Sequence, residues 1–198
     1  MTRKNAGADR EDGDIAPPTS RVGLEPSRLT AHAHSSVKAS RVVVRPATQK
    51  DLPAILALRM ALLREHAHNA IYGRLRADAE PRAAKLFAAQ LQSTNEVLFL
   101  ADIVGETVGV LRCIQSSGSP LLDPAQYAYV SSVYVVPSAR EQGVLRALLA
   151  EAEQWCNERG LEEMRLHNAA DNPLANAAWE ALGFEVVEHL RVRWLKQR

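Results

Sequence analysis

"VSSVYVVPSAREQGVLRALLAEAEQW", residues Val130 to Trp155, decides the fold. A β-branched and aromatic run stops at Pro137, and a polar loop with one glycine, Gly143, follows. A helical pattern then begins almost at once, with Leu145, Leu148, Leu149, Ala152 and Cys156 on one face. Gly160 stands where helices commonly end, and "EEMRLHN" (residues 162–168) alternates as a strand does. Strand, helix and strand joined in this way make a crossover, so part of the sheet must be parallel.

Working outward, "RVVVRPA" is a short strand ending near Pro46. Thr48 and Asp51 are spaced as a capping box, and Leu52, Ile55, Leu56, Leu62 and Leu63 follow on one helical face. A second helix is predicted within residues 78–92, with Pro81 in its first turn and Ala84, Leu86, Phe87 and Leu91 apolar. "EVLFLADIV" and "ETVGVLRCI" flank Gly105 as a hairpin would. The Ser/Gly/Pro stretch "QSSGSPLLDPAQ" is long enough to form the lip of a site, and "YAYVSSVYVV" is the next strand. "DNPLANAAWEALGF" is a short helix with Asn172 as cap, Pro173 in its first turn and Gly183 at its end. "FEVVEHLRVRWLK" is predicted as a final strand. The fold class is α+β: a mixed sheet flanked by helices.

The chain has 198 residues, enough for one domain with a core. Residues 1–40 are rich in small residues, proline and mixed charge and carry no lasting pattern, so they are expected to be a disordered tail preceding a domain at 41–198. His32 and His34 in that tail have no further ligands near them in sequence, so no metal is expected. The formal net charge of +1 gives no bulk field toward nucleic acid or an anionic membrane, and no apolar run reaches the length of a span. Cys113 and Cys156 lie in apolar runs, as buried free thiols do. With no signal-type leader at the N-terminus, a cytoplasmic protein is expected.

The loop from Ser138 to Leu145 has chemistry of its own. The first N–H groups of a helix lack internal acceptors, and the helix dipole is positive there, so the loop suits an anion. Gly143 permits close approach, and Arg140 and Arg146 add charge. Neither G-x-x-x-x-G-K-[ST] nor G-x-G-x-x-G is present, which argues against nucleotide hydrolysis and dinucleotide binding.

"VYVVPSAREQGVLRALL" resembles the coenzyme-A signature of the GNAT superfamily of N-acetyltransferases, Q/R-x-x-G-x-G/A. Arg140 and Gly143 match it, and Leu145 replaces the third position. A second family block, N-x-x-A-x-x-x-Y-x-x-x-G-F, is matched by Asn172, Ala175, Gly183 and Phe184, with Trp179 in place of tyrosine. The resemblance runs from about Arg41 to Leu195. It implies a splayed sheet and acetyl-CoA as co-substrate, with no metal. It also implies that Val133, Tyr134 and Val135 line the pantetheine arm and that Arg140, Glu141, Gln142, Gly143, Val144, Leu145 and Arg146 hold the pyrophosphate. Asn172, Ala175 and Trp179 would form the far wall.

For catalysis the resemblance implies the N–H of Val135 as polariser of the thioester carbonyl, an oxyanion-type role. Indole is only a hydrogen-bond donor, so Trp179 cannot act as the acid that the family tyrosine supplies; either Tyr134, Ser131 or water takes that place, or the thiolate leaves unassisted. Tyr129 lies where some relatives have a basic glutamate, and His167 brings an imidazole to the neighbouring strand end. Glu65, His66 and His68 close the first helix, beside the family's acceptor pocket. The resemblance thus implies transfer of an acetyl group to an amine of a small molecule or a peptide, and pairing of the last strand with a second copy. The alternative is an acyl-CoA-binding module of the same fold without turnover.

Overall fold

The structure is a computed structural model and describes residues 41–195. The expected tail and the His32/His34 pair lie outside the described residues. The elements follow the predicted order: β1 (Val42–Pro46), α1 (Leu52–Glu65), α2 (Ala79–Gln90), β2 (Glu96–Ile103), β3 (Glu106–Ser117), β4 (Gln126–Val135), α3 (Val144–Asn157), β5 (Met164–Leu166) and α4 (Pro173–Ala181). The sheet order is β1-β2-β3-β4-β5, antiparallel except for the β4–β5 pair.

Both faces of the sheet are covered. Phe99, Ala101, Leu111, Ala128 and Val130 pack against Val144, Leu148 and Ala152 of α3. Leu98, Leu100, Val110 and Tyr134 pack against Ile55 and Leu58 of α1 and Phe87 of α2. This double burial explains why "EVLFLADIV" reads as a continuous apolar run rather than an alternating one. Gly109 of β3 is needed here. A Cβ on it would lie 2.9 Å from Val144 Cγ1 and 3.2 Å from Leu148 Cδ1, so its absence lets α3 lie close on the sheet.

Thr48 and Asp51 form the expected start of α1, through a short 3-10 turn: the Thr48 N–H and hydroxyl both donate to Asp51 Oδ2. Asp51 also takes two hydrogen bonds from Arg45, whose Nε reaches Asp102, so β1, β2 and the helix entry are fastened at one point. Cys113 and Cys156 are buried free thiols, their sulfurs 3.9 Å apart.

Three expectations are corrected. The predicted final strand does not form: residues 184–195 make no strand, and Val186 and Val187 are 81% and 84% exposed. A strand needs a neighbour for its main-chain groups, and β5 has only three paired residues. Leu145 does not join the core stripe of α3. Val144 fills that place, 1% exposed, and Leu145 is half-buried toward the cleft described below. The loop between β3 and β4 does not form a lip of that cleft; it lines a separate depression with Gly160 and Leu161.

Candidate active site

The site arises from the way β4 leaves β5. The two strands pair only at Ala128–Met164, Tyr129–Arg165 and Val130–Leu166. Beyond Val130 the β4–β3 register slips by one residue between Arg112 and Val110, and Ser132 adopts a left-handed φ of 53°. This is a β-bulge, which bends a strand and changes which side chains share a face. Ala128 and Val130 face α3 before it, and Val133 and Val135 do so after it. Tyr134 faces α1. Tyr129 and Ser131, alternating with Ala128 and Val130, share the α1 side. The outer edge of β4 from Ser131 on has no strand beside it among the described residues.

The main-chain direction at Val135 follows from the ladder. Val136 N–H donates to the Val108 carbonyl at 2.9 Å, so the groups of Val135, one residue earlier, point the other way, into the gap. Arg140 Nε donates to the Val135 carbonyl at 3.0 Å. The resulting cleft holds about 810 Å³ and is lined by α1, α2, β4, the loop into α3 and α4.

One end of the cleft is the start of α3. Gly143 caps the helix with φ 79°, a left-handed conformation that a side chain makes costly, and a Cβ there would have open space around it. The first helical bond runs from Ala147 N–H to the Gly143 carbonyl, so the N–H groups of Val144, Leu145 and Arg146 precede it. The Arg140 guanidinium is not aimed at these groups. Its Nη2 donates to both carboxylate oxygens of Glu65, at 2.9 and 2.7 Å, and it lies 5.7 Å from the Tyr134 ring. Gln142 turns away and donates to the Ser138 carbonyl, and the Glu141 backbone is left-handed with an exposed side chain.

The opposite wall is α4. Asn172 caps it as predicted, accepting from Ala175 N–H at 3.0 Å. Its amide nitrogen reaches His66 Nε2 at 3.5 Å. His66 Nδ1 lies 3.0 Å from the Leu62 carbonyl, which can only accept, so Nδ1 carries the proton and Nε2 is the acceptor. Trp179 lines the cleft and meets the edge of Phe184 at 5.2 Å, a packing role.

At the point where the strands part, the Tyr129 hydroxyl and His167 Nδ1 are 2.9 Å apart. Burial first, then the neighbouring Tyr72 and Tyr127, raises the Tyr129 phenol above its ordinary range, against the pull of Arg112. Arg112 is ion-paired with Glu96 and reaches Ser131 Oγ at 3.4 Å. Burial and the Glu65 carboxylate likewise raise the Tyr134 phenol, so it stays a neutral donor at neutral pH. The tyrosine–histidine pair and the Arg140–Glu65 pair were not legible in sequence, because their partners lie 38 and 75 residues apart and no spacing rule joins them.

A sheet parted by a bulge, with a helix N-terminus at one end of the gap and an open strand edge along it, is the splayed arrangement that the sequence resemblance implies. The acetyltransferase (GNAT) family model matches residues 62–184. The chain is 28% identical over 156 residues to an aminoglycoside N(6')-acetyltransferase type 1 of Stenotrophomonas maltophilia, covering 77% of this chain and 92% of that protein. A Salmonella typhimurium protein of the same name is 29% identical over 101 residues, 50% of this chain and 70% of that one. The aminoglycoside N-acetyltransferase AAC(6')-Iy, solved with CoA, aligns with a TM-score of 0.62 at 24% identity, over 80% of this chain and 96% of that one. A GCN5-related N-acetyltransferase of Ralstonia eutropha aligns at 0.65 and 21%, over 79% and 100%. This chain belongs to the GNAT family of acetyltransferases. It is an acetyl-CoA-dependent N-acetyltransferase. Among the described residues no helix is long and apolar enough to cross a membrane.

Proposed function

We propose that this chain transfers the acetyl group of acetyl-CoA directly to a primary amine of a small molecule bound between α1, α2 and the α1-side face of β4. The observation that carries the reading is the free edge of β4, where the Val135 main chain turns into the gap that begins beside the Tyr129–His167 pair. The N–H of Val135 polarises the thioester carbonyl. The N–H groups from Gln142 through Arg146 hold the pyrophosphate, with Val133 and Tyr134 along the arm and Asn172, Ala175 and Trp179 opposite. Holding amine and thioester together supplies much of the acceleration. His167, steadied by Tyr129, takes the amine proton. Tyr134, whose phenol keeps its proton, protonates the leaving thiolate, with Ser131 or water as the alternatives.

The names of the relatives support a small-molecule acceptor over a peptide. The exposed side chains of Val186, Val187, Leu190 and Val192 support a homodimer in which that segment pairs with a second copy. The free buried thiols and the need for acetyl-CoA support a cytoplasmic location. An amine panel incubated with acetyl-CoA, read by mass spectrometry and thiol release, tests the activity. An N-acetyl product formed in step with free thiol is expected. Binding of acetyl-CoA with no product from any amine would leave an acyl-CoA-binding module of the same fold.

A further inference from the structure

Arg59 is half-buried on α1 and lines the cleft together with Leu62 and Leu63, three and four residues along the same helical face. Among the described residues its guanidinium has no hydrogen bond or ion pair. The other two arginines on this side are neutralised, Arg112 by Glu96 and Arg140 by Glu65. Glu65 is in turn the carboxylate on this side of the lining, and its charge is spent on Arg140. Burial lowers the Arg59 pKa, and nearby Arg112 lowers it further, against an opposing influence of Tyr72. Arginine keeps its proton in proteins, so the cation remains and its environment lacks an anion.

Gln90 of α2 lines the same cleft. It is 9% exposed, and its buried Oε1 has no donor. Buried polar atoms are nearly always satisfied, so this oxygen and the Arg59 guanidinium are two unmet demands of opposite kind in one chamber. One asks for an anion and the other for a hydrogen-bond donor. Apolar walls from Leu62, Leu86 and Phe87 lie with them. A guanidinium fork matches a carboxylate bidentately. A single uncompensated charge suits a monoanion rather than a phosphate dianion.

We infer that the acceptor is an amine that also bears a carboxylate, with Arg59 holding the carboxylate and Gln90 Oε1 accepting from a donor on the same molecule. The inference rests on the amine-acetylation reading of this cleft and names its substrate class. That class differs from the polycationic acceptors in the names of the relatives, since a polycation entering here would meet Arg59 while Glu65 on α1 is already paired with Arg140, and the other lining carboxylate, Glu141, belongs to the loop before α3.

The test uses the full chain and matched pairs: L-α- and ω-amino acids, each with its carboxamide, and kanamycin as a polyamine. For at least one pair, kcat/KM is expected to favour the acid by about tenfold or more, the scale of one charge-assisted contact. Arg59→Gln removes that preference, and Arg59→Lys, which keeps the charge, retains part of it. A second readout needs no turnover: with CoA present, N-acetyl amino acids raise the melting temperature more than their amides, and Arg59→Gln erases the difference. Acetylation without preference for the acid, a preference that survives Arg59→Gln, or kanamycin outperforming every amino acid overturns the inference and leaves acetyl transfer standing. Carboxylate-dependent binding lost in Arg59→Gln, with no amine acetylated, supports the Arg59 site and overturns acetyl transfer.

Discussion

Arg140 donates to both carboxylate oxygens of Glu65, at 2.9 and 2.7 Å, and so ties the start of the loop that precedes α3 to the end of α1. Its Nε holds the carbonyl of Val135 at the same time. One side chain therefore couples the end of α1, the open strand edge and the loop into α3.

Glu65→Gln is expected to test that coupling. Both partners are about one-third exposed, so folding stability should fall by less than about 1 kcal/mol. The KM for acetyl-CoA should rise, about threefold to tenfold, because the loop loses its tether. Steady-state kinetics beside a thermal melt separates the two effects. A lower melting temperature with unchanged KM would make the pair a stability element only.

The Tyr129–His167 pair should act as a unit. Tyr129→Phe and His167→Ala are each expected to lower kcat about tenfold to a hundredfold, and the double variant little further. Multiplicative losses in the double-mutant cycle would mean that the 2.9 Å contact is not used in turnover.

Gly109→Ala places a carbon 2.9 Å from Val144 Cγ1, and such overpacking costs about 1–3 kcal/mol. Urea unfolding should report that loss. Adding Val144→Ala should recover part of it, so that the two changes together cost less than their sum. Strict additivity would show that α3 does not bear on Gly109.

Acid stability should depend on Asp51. Hydrogen bonding to the Arg45 guanidinium first, and to Thr48 after it, holds the Asp51 carboxyl far below its ordinary range. A carboxylate with a depressed folded pKa contributes stability that is fully present above the unfolded value of about 3.9 and is lost as pH falls below it. Arg45 is 39% exposed, so solvent reduces the contribution to about 1 kcal/mol at neutral pH. Asp51→Asn should lower stability by that amount at pH 7 and flatten the decline between about pH 4 and pH 2. An equally steep decline in the variant, followed by circular dichroism, would assign acid sensitivity to other groups.

The strand–loop–helix stretch from Val130 to Trp155 was legible because its signals are local. Side-chain periodicity, Pro137, Gly143 and Gly160 mark where the chain changes state, and the Asn172 cap and the Thr48–Asp51 box mark where helices begin. The last apolar stretch misled for the same reason. Val186, Val187 and Val192 have the composition of a strand, but a strand also needs a partner, and local composition cannot supply one. Leu145 was one position out of register: Val144 and Leu145 fit a helical stripe equally well in sequence, and the close approach permitted by Gly109 puts Val144 inside.

Sequence alone therefore determined the order of elements through α4, the parallel crossover and the family, since each is written in neighbouring residues. The tertiary structure decided which charges cancel. Arg140, Arg112 and Arg59 look alike in sequence, yet the fold gives Glu65 to the first, Glu96 to the second and no partner to the third among the described residues. Electrostatic pairing depends on distances across the sheet and between helices, and only the packed chain sets those distances.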